Sequence, residues 1–307
     1  MSLKYEIGDN DMEKIIDIGE GKIEACIKGS GEVTVVIELG ICTHFSDWDI
    51  VIDELSKKIR VIAYHRSGYG NSRSECKKRT GRQIVKELNM LLEKENIDKN
   101  IILIGHSFGG LCVQHFAQLY PEKVIGMILV DPNTIYQKEM DKLPTIKEKF
   151  SRCKDIKNWE GLSKKSKEEL ILEINPKISK EQMMLSKESK QRILDFLVEP
   201  QTYKTMMLEY YSLDETINEI RALERKYKCP VIVMTRDKEL MISNLIKCGI
   251  EKEEAITMEN TWQKIIKEIA EVSQNGTFIE VKGATHCIYR LKPELIVNEA
   301  FKLIKNI

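Results

Sequence analysis

A serine framed by glycines, Gly105-His106-Ser107-Phe108-Gly109, is the strongest chemical signal in the chain. A serine hydroxyl is a poor nucleophile at neutral pH and must surrender its proton as it attacks a carbonyl carbon. It therefore needs a base, for which histidine suits because its ordinary pKa lies near neutrality. It also needs a carboxylate to hold the imidazole in the right tautomer. The chain has five histidines: His44, His65, His106, His115 and His286. His106 adjoins Ser107, so its side chain should point elsewhere, and His115 falls within a helix-period stretch and reads as a packing or surface residue. His44 and His65 lie in loops that could line a pocket.

The elements around Ser107 explain how it would be presented. Ile101-Ile102-Leu103-Ile104 is an unbroken aliphatic run, the mark of a strand buried on both faces. After Gly105 the period changes to that of a helix, with Leu111, Val113, Phe116, Ala117 and Leu119 on its apolar side and Pro121 as its stop. A strand turning this sharply into a helix crowds its own backbone, so glycines are required on either side. The residue at the apex then faces the carboxyl edge of the sheet, beside the free N–H groups and positive dipole end of the helix.

Other strands read as Lys14 to Ile18, Lys22 to Ile27, Val33 to Ile37, Arg60 to Tyr64, Val124 to Val130, Pro230 to Thr235 and Thr277 to Val281. Thr80, with Gln83 three residues on, has the form of a capping box. It opens a helix whose apolar stripe is Ile84, Val85, Leu88, Leu91 and Leu92. A second helix spans roughly Glu253 to Val272, and Asn275-Gly276 reads as its stop. Alternation of strand and helix at this spacing predicts a doubly wound, mostly parallel α/β sheet. Glu38-Leu39-Gly40-Ile41-Cys42 leaves the carboxyl end of a strand and reads as an oxyanion-hole loop. From Asn133 to Lys228 helix formers and lysine dominate without a buried aliphatic strand, so we expect residues 133–228 to form a helical cap over that edge. The core is then 1–132 and 229–307.

Composition limits the partners. The 48 basic and 48 acidic residues balance among 307, which favours neither nucleic acid nor an anionic membrane. No apolar run is long enough to span a bilayer, and the first residues lack a signal-peptide core. Eight cysteines are scattered singly, without metal-ligand spacing, and read as reduced thiols of a cytoplasmic protein. Cys112 and Cys287 read as small packing residues near the site.

Four segments carry a resemblance to the α/β-hydrolase superfamily across essentially the whole chain. Gly105-His106-Ser107-Phe108-Gly109-Gly110 is similar to the nucleophile elbow of small esterases. Tyr64-His65-Arg66-Ser67-Gly68-Tyr69-Gly70-Asn71-Ser72 resembles the family's Tyr-Asp-Arg-x-Gly-x-Gly-x-Ser loop, with His65 in place of the aspartate. Glu38-Leu39-Gly40-Ile41, with Trp48 downstream, looks like the oxyanion loop, with Glu38 in place of a common histidine. Gly283-Ala284-Thr285-His286, ahead of Pro293-Glu294, resembles the loop bearing the catalytic histidine.

The resemblance implies an eight-stranded sheet and makes Ser107 the nucleophile and His286 the base. It makes the backbone N–H groups of Ile41 and Phe108 the oxyanion donors. For the acid it offers two placements: Asp131 after the strand behind the nucleophile helix, which we favour, or Glu239 or Asp237 one strand later. The expected protein is a cofactor-free, metal-free serine hydrolase of a small ester, amide or related acyl substrate, monomeric or a homodimer. A ligand receptor on the same scaffold and a carbon–carbon bond hydrolase are the alternatives. A dehalogenase or epoxide hydrolase fits less well, because those relatives carry an aspartate where Ser107 stands.

Overall fold

The computed structural model describes residues 12–223, 226–273 and 275–305. Its strands are β1 (Met12–Asp17), β2 (Gly21–Lys28), β3 (Thr34–Glu38), β4 (Arg60–Tyr64), β5 (Arg73–Ser74), β6 (Ile101–His106), β7 (Val124–Val130), β8 (Val231–Arg236) and β9 (Gly276–Val281). Eight of them form one path, β1-β2-β4-β3-β6-β7-β8-β9, and the two-residue β5 pairs with β2. β2 pairs antiparallel with both β1 and β4. From β4 to β9 every pairing is parallel.

Side-chain alternation divides the core into two layers. Val36, Ile62, Leu103, Leu129 and Val233 face helices α2 (Gly81–Lys94), α3 (Phe108–Leu119) and α12 (Lys252–Glu271). Val35, Val61, Ile102, Ile128 and Ile232 face α1 (Asp49–Ser56) and α14 (Pro293–Lys305) on the other side. The central strands are covered on both faces, which is why β3 and β6 are buried at every residue. The expected stripe of α2, Ile84 to Leu92, is buried throughout.

Three local expectations are corrected. The N-cap of α2 is only half a capping box: Thr80 Oγ1 accepts from Gln83 N–H at 3.3 Å, but the Gln83 amide donates to Glu87 Oε1 at 3.0 Å instead of returning to Thr80. Glu87 already holds Arg79 through two hydrogen bonds, so this buried acid draws Gln83 along the helix. α12 ends at Glu271, and Gly276 opens β9, close against the Ala270 carbonyl where a Cβ would not fit. Finally, α11 (Lys238–Lys247) directly after β8 was not anticipated, because its weak apolar period hides it.

Among the described residues between β7 and β8 lie the α-helices α4 (Lys138–Asp141), α5 (Pro144–Lys149), α6 (Arg152–Leu162), α7 (Lys167–Ile174), α8 (Lys187–Leu197), α9 (Pro200–Tyr211) and α10 (Leu213–Arg221). Their buried members include Leu170, Phe196, Tyr203 and Met206, whereas Tyr211 is exposed. Helix α1 and the loop after β4 meet α8 and α9, through Ser189 on Asp49 and Glu209 on Arg66 and Tyr69. Among the described residues no helix is long and apolar enough to cross a membrane.

Candidate active site

β6 delivers Ser107 to the carboxyl edge with a backbone that L-residues rarely adopt, φ 52° and ψ −122°. The flanking glycines make room for it. A Cβ on Gly105 would lie 2.5 Å from Val113 Cγ2, and one on Gly109 would lie 2.2 Å from the Glu38 carbonyl oxygen. Helix α3 thus starts directly against the end of β3, and only glycine permits that approach. The Ser107 carbonyl then accepts from Gly110 N–H at 2.9 Å and Asn133 N–H at 2.8 Å, closing the turn. The Ser107 hydroxyl donates to Asn133 Oδ1 at 3.3 Å. Among the described residues it makes no hydrogen bond with His286.

Asp131 ends β7 and is completely buried, with φ 40°. Its Oδ2 lies 2.6 Å from His286 Nδ1. Its Oδ1 accepts from Trp262 Nε1–H at 3.0 Å, Thr235 Oγ1–H at 3.2 Å and Arg236 N–H at 3.2 Å. The Arg236 guanidinium stands 3.6 Å from Oδ2, lying over the Trp262 ring and paired with Glu259. Burial pushes the carboxyl up, but Arg236, His286 and Trp262 outweigh it and hold the pKa at about 2. A carboxylate facing Nδ1 requires the proton there, which leaves Nε2 of the half-exposed His286 as the free acceptor.

The other acid positions lie apart from His286. Asp237 caps α11 by accepting from Glu239 N–H at 2.9 Å and Leu240 N–H at 3.2 Å, and its second oxygen accepts from Gly283 N–H at 2.8 Å. Glu239 is exposed in the first turn of that helix.

The loop after β3 has its own support. Neither Ile41 N–H nor Phe108 N–H meets an acceptor among the described residues, and Cys42 takes a left-handed φ of 56° to turn the loop. Glu38 is completely buried and accepts from Tyr64 and, at 2.8 Å, from Arg66. Arg66 also donates to the carbonyls of Leu39 at 2.5 Å and Gly40 at 3.3 Å, and makes a two-bond pair with Glu209 on α9. Glu38, where a histidine is common, is therefore the anchor of a buried acid–arginine–acid chain. Burial drives its carboxyl pKa upward against the pull of Arg66.

The remaining histidines divide by partner. His65 Nδ1 lies 2.7 Å from Glu24 Oε2, while its Nε2 accepts from Phe45 N–H at 3.4 Å; the neutral Nδ1–H tautomer satisfies both, and burial lowers its pKa accordingly. His44 Nδ1 caps the turn at Ser46 with an N–H bond of 3.0 Å. His106 is buried under Gly40, and its Nε2 reaches the His286 carbonyl at 3.1 Å. His115 is buried with neither ring nitrogen hydrogen-bonded. Cys112 packs with Phe108, Leu111 and Ile217, and the half-buried Cys287 packs against the separate layer under α1 and α14.

Three participants escaped sequence reading: Asn133, Arg236 and Glu209. Asn133 lies two positions past Asp131, and Arg236 closes β8; neither signal is specific alone. The same holds for Asp47, which ties Gln182 to the Tyr289-Arg290 segment just past His286.

These features define an α/β-hydrolase fold, and the model of the α/β hydrolase fold family matches residues 33–152. An uncharacterised Bacillus subtilis (strain 168) protein, YqjL, is 33% identical over 105 residues, which is 34% of this chain and 42% of the relative. The chain thus spans under half the length of that curated relative. A thermophilic esterase from Thermogutta terrifontis superposes with a TM-score of 0.66 at 17% identity, covering 94% of each chain. The enol-lactonase from Burkholderia xenovorans LB400 gives 0.64 at 16% identity, covering 95% of this chain and all of the other at 100%.

Proposed function

We propose that the protein is a serine hydrolase of a small ester, amide or related acyl substrate, acting through an acyl-enzyme without a cofactor. Ser107 Oγ forms the bond to the carbonyl carbon while His286 Nε2 takes its proton. Asp131 keeps Nδ1 protonated and the ring oriented, and balances the imidazolium that forms. The N–H groups of Phe108 and Ile41 receive the oxyanion, each worth about 3 kcal/mol. The tetrahedral intermediate collapses, the leaving group departs with the proton from His286, and water repeats the sequence to release the acid. The segment 133–228 acts as the cap that governs access, and the singly placed free thiols fit a reducing, cytoplasmic setting.

One observation carries this reading: a fully buried carboxylate 2.6 Å from His286 Nδ1, on the sheet edge where Ser107 is held in a strained turn. The esterase and lactonase among the structural neighbours agree with it. The test is labelling by a fluorophosphonate probe together with hydrolysis of short p-nitrophenyl esters. Both should occur in the native protein and vanish in Ser107→Ala, with the melting temperature nearly unchanged. Equal turnover in that variant would remove the mechanism.

A second reading, a ligand receptor on the same scaffold, draws on the Ser107 hydroxyl facing Asn133 instead of His286. A receptor would resist the probe at concentrations that label the enzyme fully.

A further inference from the structure

A cavity of about 320 Å³ opens between the first helices of the 133–228 segment and the pair α11 and α12. Asn133 lines it, and the amide oxygen of that residue is the group that receives the Ser107 hydroxyl. The cavity is therefore one side chain from the nucleophile. Its apolar wall is built from Met140, Ile146, Phe150, Met241, Leu245 and Met258. Three methionines give a surface that reshapes around flexible chains. At roughly 30 Å³ per water-sized group the volume holds about ten non-hydrogen atoms.

The charges lining it are unequal. Arg152 is committed to Asp214 by two hydrogen bonds, and Arg236 is committed to Glu259 and stands beside Asp131. The carboxylates of Asp141 and Asp155 also line the cavity, and neither has a hydrogen bond or ion pair among the described residues. Partial burial raises both carboxyl pKa values, at Asp141 against the pull of Arg152 and Lys138. A ligand carboxylate would lose its hydration here and meet like charge in a low dielectric. Neutral polar groups would find Asn133, Gln137 and Tyr210.

We propose that this cavity receives the acyl portion of the substrate, and that it takes a flexible, mainly apolar chain that is neutral or cationic at its far end and rejects carboxylates. The assignment rests on the serine-hydrolase reading for its link to turnover, but binding can be measured without it.

The test is calorimetric titration of Ser107→Ala and of the native protein with octanamide and its ω-amino and ω-carboxy derivatives at neutral pH. Octanamide and the amine should bind, and the ω-carboxy amide should bind about tenfold more weakly or worse, equivalent to about 1.4 kcal/mol. Asp141→Asn with Asp155→Asn should narrow that gap. Met258→Trp, checked by its melting temperature, should fill the cavity and abolish octanamide binding. The ω-carboxy amide binding as tightly as octanamide, a folded Met258→Trp that binds octanamide undiminished, or no octanamide binding up to its solubility limit would each overturn the proposal. Failure of the serine mechanism would show separately, as absence of fluorophosphonate labelling, with the binding results still readable.

Discussion

Arg66 and Glu209, 143 residues apart in sequence, meet as a two-bond ion pair, with Nε to Oε1 at 2.6 Å and a terminal nitrogen to Oε2 at 3.0 Å. Both side chains are buried, and Arg66 continues to Glu38 on the other side. One cation thus holds the loop after β3, the loop after β4 and helix α9 together. Arg66→Met removes it and leaves two carboxylates facing each other out of water. We expect a loss of about 3–5 kcal/mol in urea unfolding, the size usual for breaking a buried pair by removing one partner. A change below 1 kcal/mol would show that water enters and screens the acids.

The carboxylate serving His286 is resolved by three variants measured together. Asp131→Asn should lose about four orders of magnitude in ester turnover, since an amide can leave the imidazole in the wrong tautomer. Asp237→Asn should keep turnover and most of its stability, since asparagine caps a helix about as well as aspartate. Glu239→Gln, exposed, should change neither. Collapse of turnover in Glu239→Gln with activity intact in Asp131→Asn would place the acid on the later turn.

Burial lowers the pKa of His44, His65, His106 and His115, the last to about 4. The unfolded chain takes up these protons near pH 6.5 while the folded chain resists, so it binds more protons below that pH. Stability is then full above about pH 6.5 and falls as pH drops toward the folded values, by up to about 1.4 kcal/mol per pH unit for each histidine. Asp131 adds a separate loss at lower pH: its folded pKa of about 2 lies under the unfolded value, so its contribution is present above about pH 4 and is lost as pH falls through 2. The urea midpoint should therefore decline from pH 7 to pH 5, offset in part by Asp49, whose carboxyl burial raises to about 6 so that it gains its proton in the folded chain first. A flat midpoint over that interval would contradict neutral buried imidazoles.

Gly109→Ala probes the elbow. Its Cβ would come within 2.5 Å of both the Glu38 and Leu39 carbonyl oxygens, which are backbone atoms that cannot swing aside. We expect a loss of several kcal/mol or failure to accumulate folded protein, against a small effect for alanine at Gly161, where nothing lies within 4 Å. Thermal melts of the two variants make the comparison.

Much was legible in the sequence because it depends on neighbours along the chain. The aliphatic run at Ile101 to Ile104 and the glycines about Ser107 state a buried strand, a tight turn and a helix within eleven residues, so they are readable without any partner. The α2 stripe was legible for the same reason, its period being local. The half-formed capping box and the hidden α11 mark the limit: buried Glu87 redirects Gln83, and α11 lacks a clear apolar stripe.

What only the tertiary structure decided are relationships between residues far apart in sequence. Sequence could offer Asp131, Asp237 and Glu239 as acids, but which one lies against His286 depends on how β7, β8 and the loop after β9 align, 155 residues from Asp131 to His286. The role of Glu38 and His65 was equally hidden, since each looked like a departure until Arg66, Tyr64 and Glu24 closed around it. Buried charges have no local period to betray them. Their pairing follows from the requirement that each charge taken out of water find its opposite, and that is satisfied only once the chain has folded.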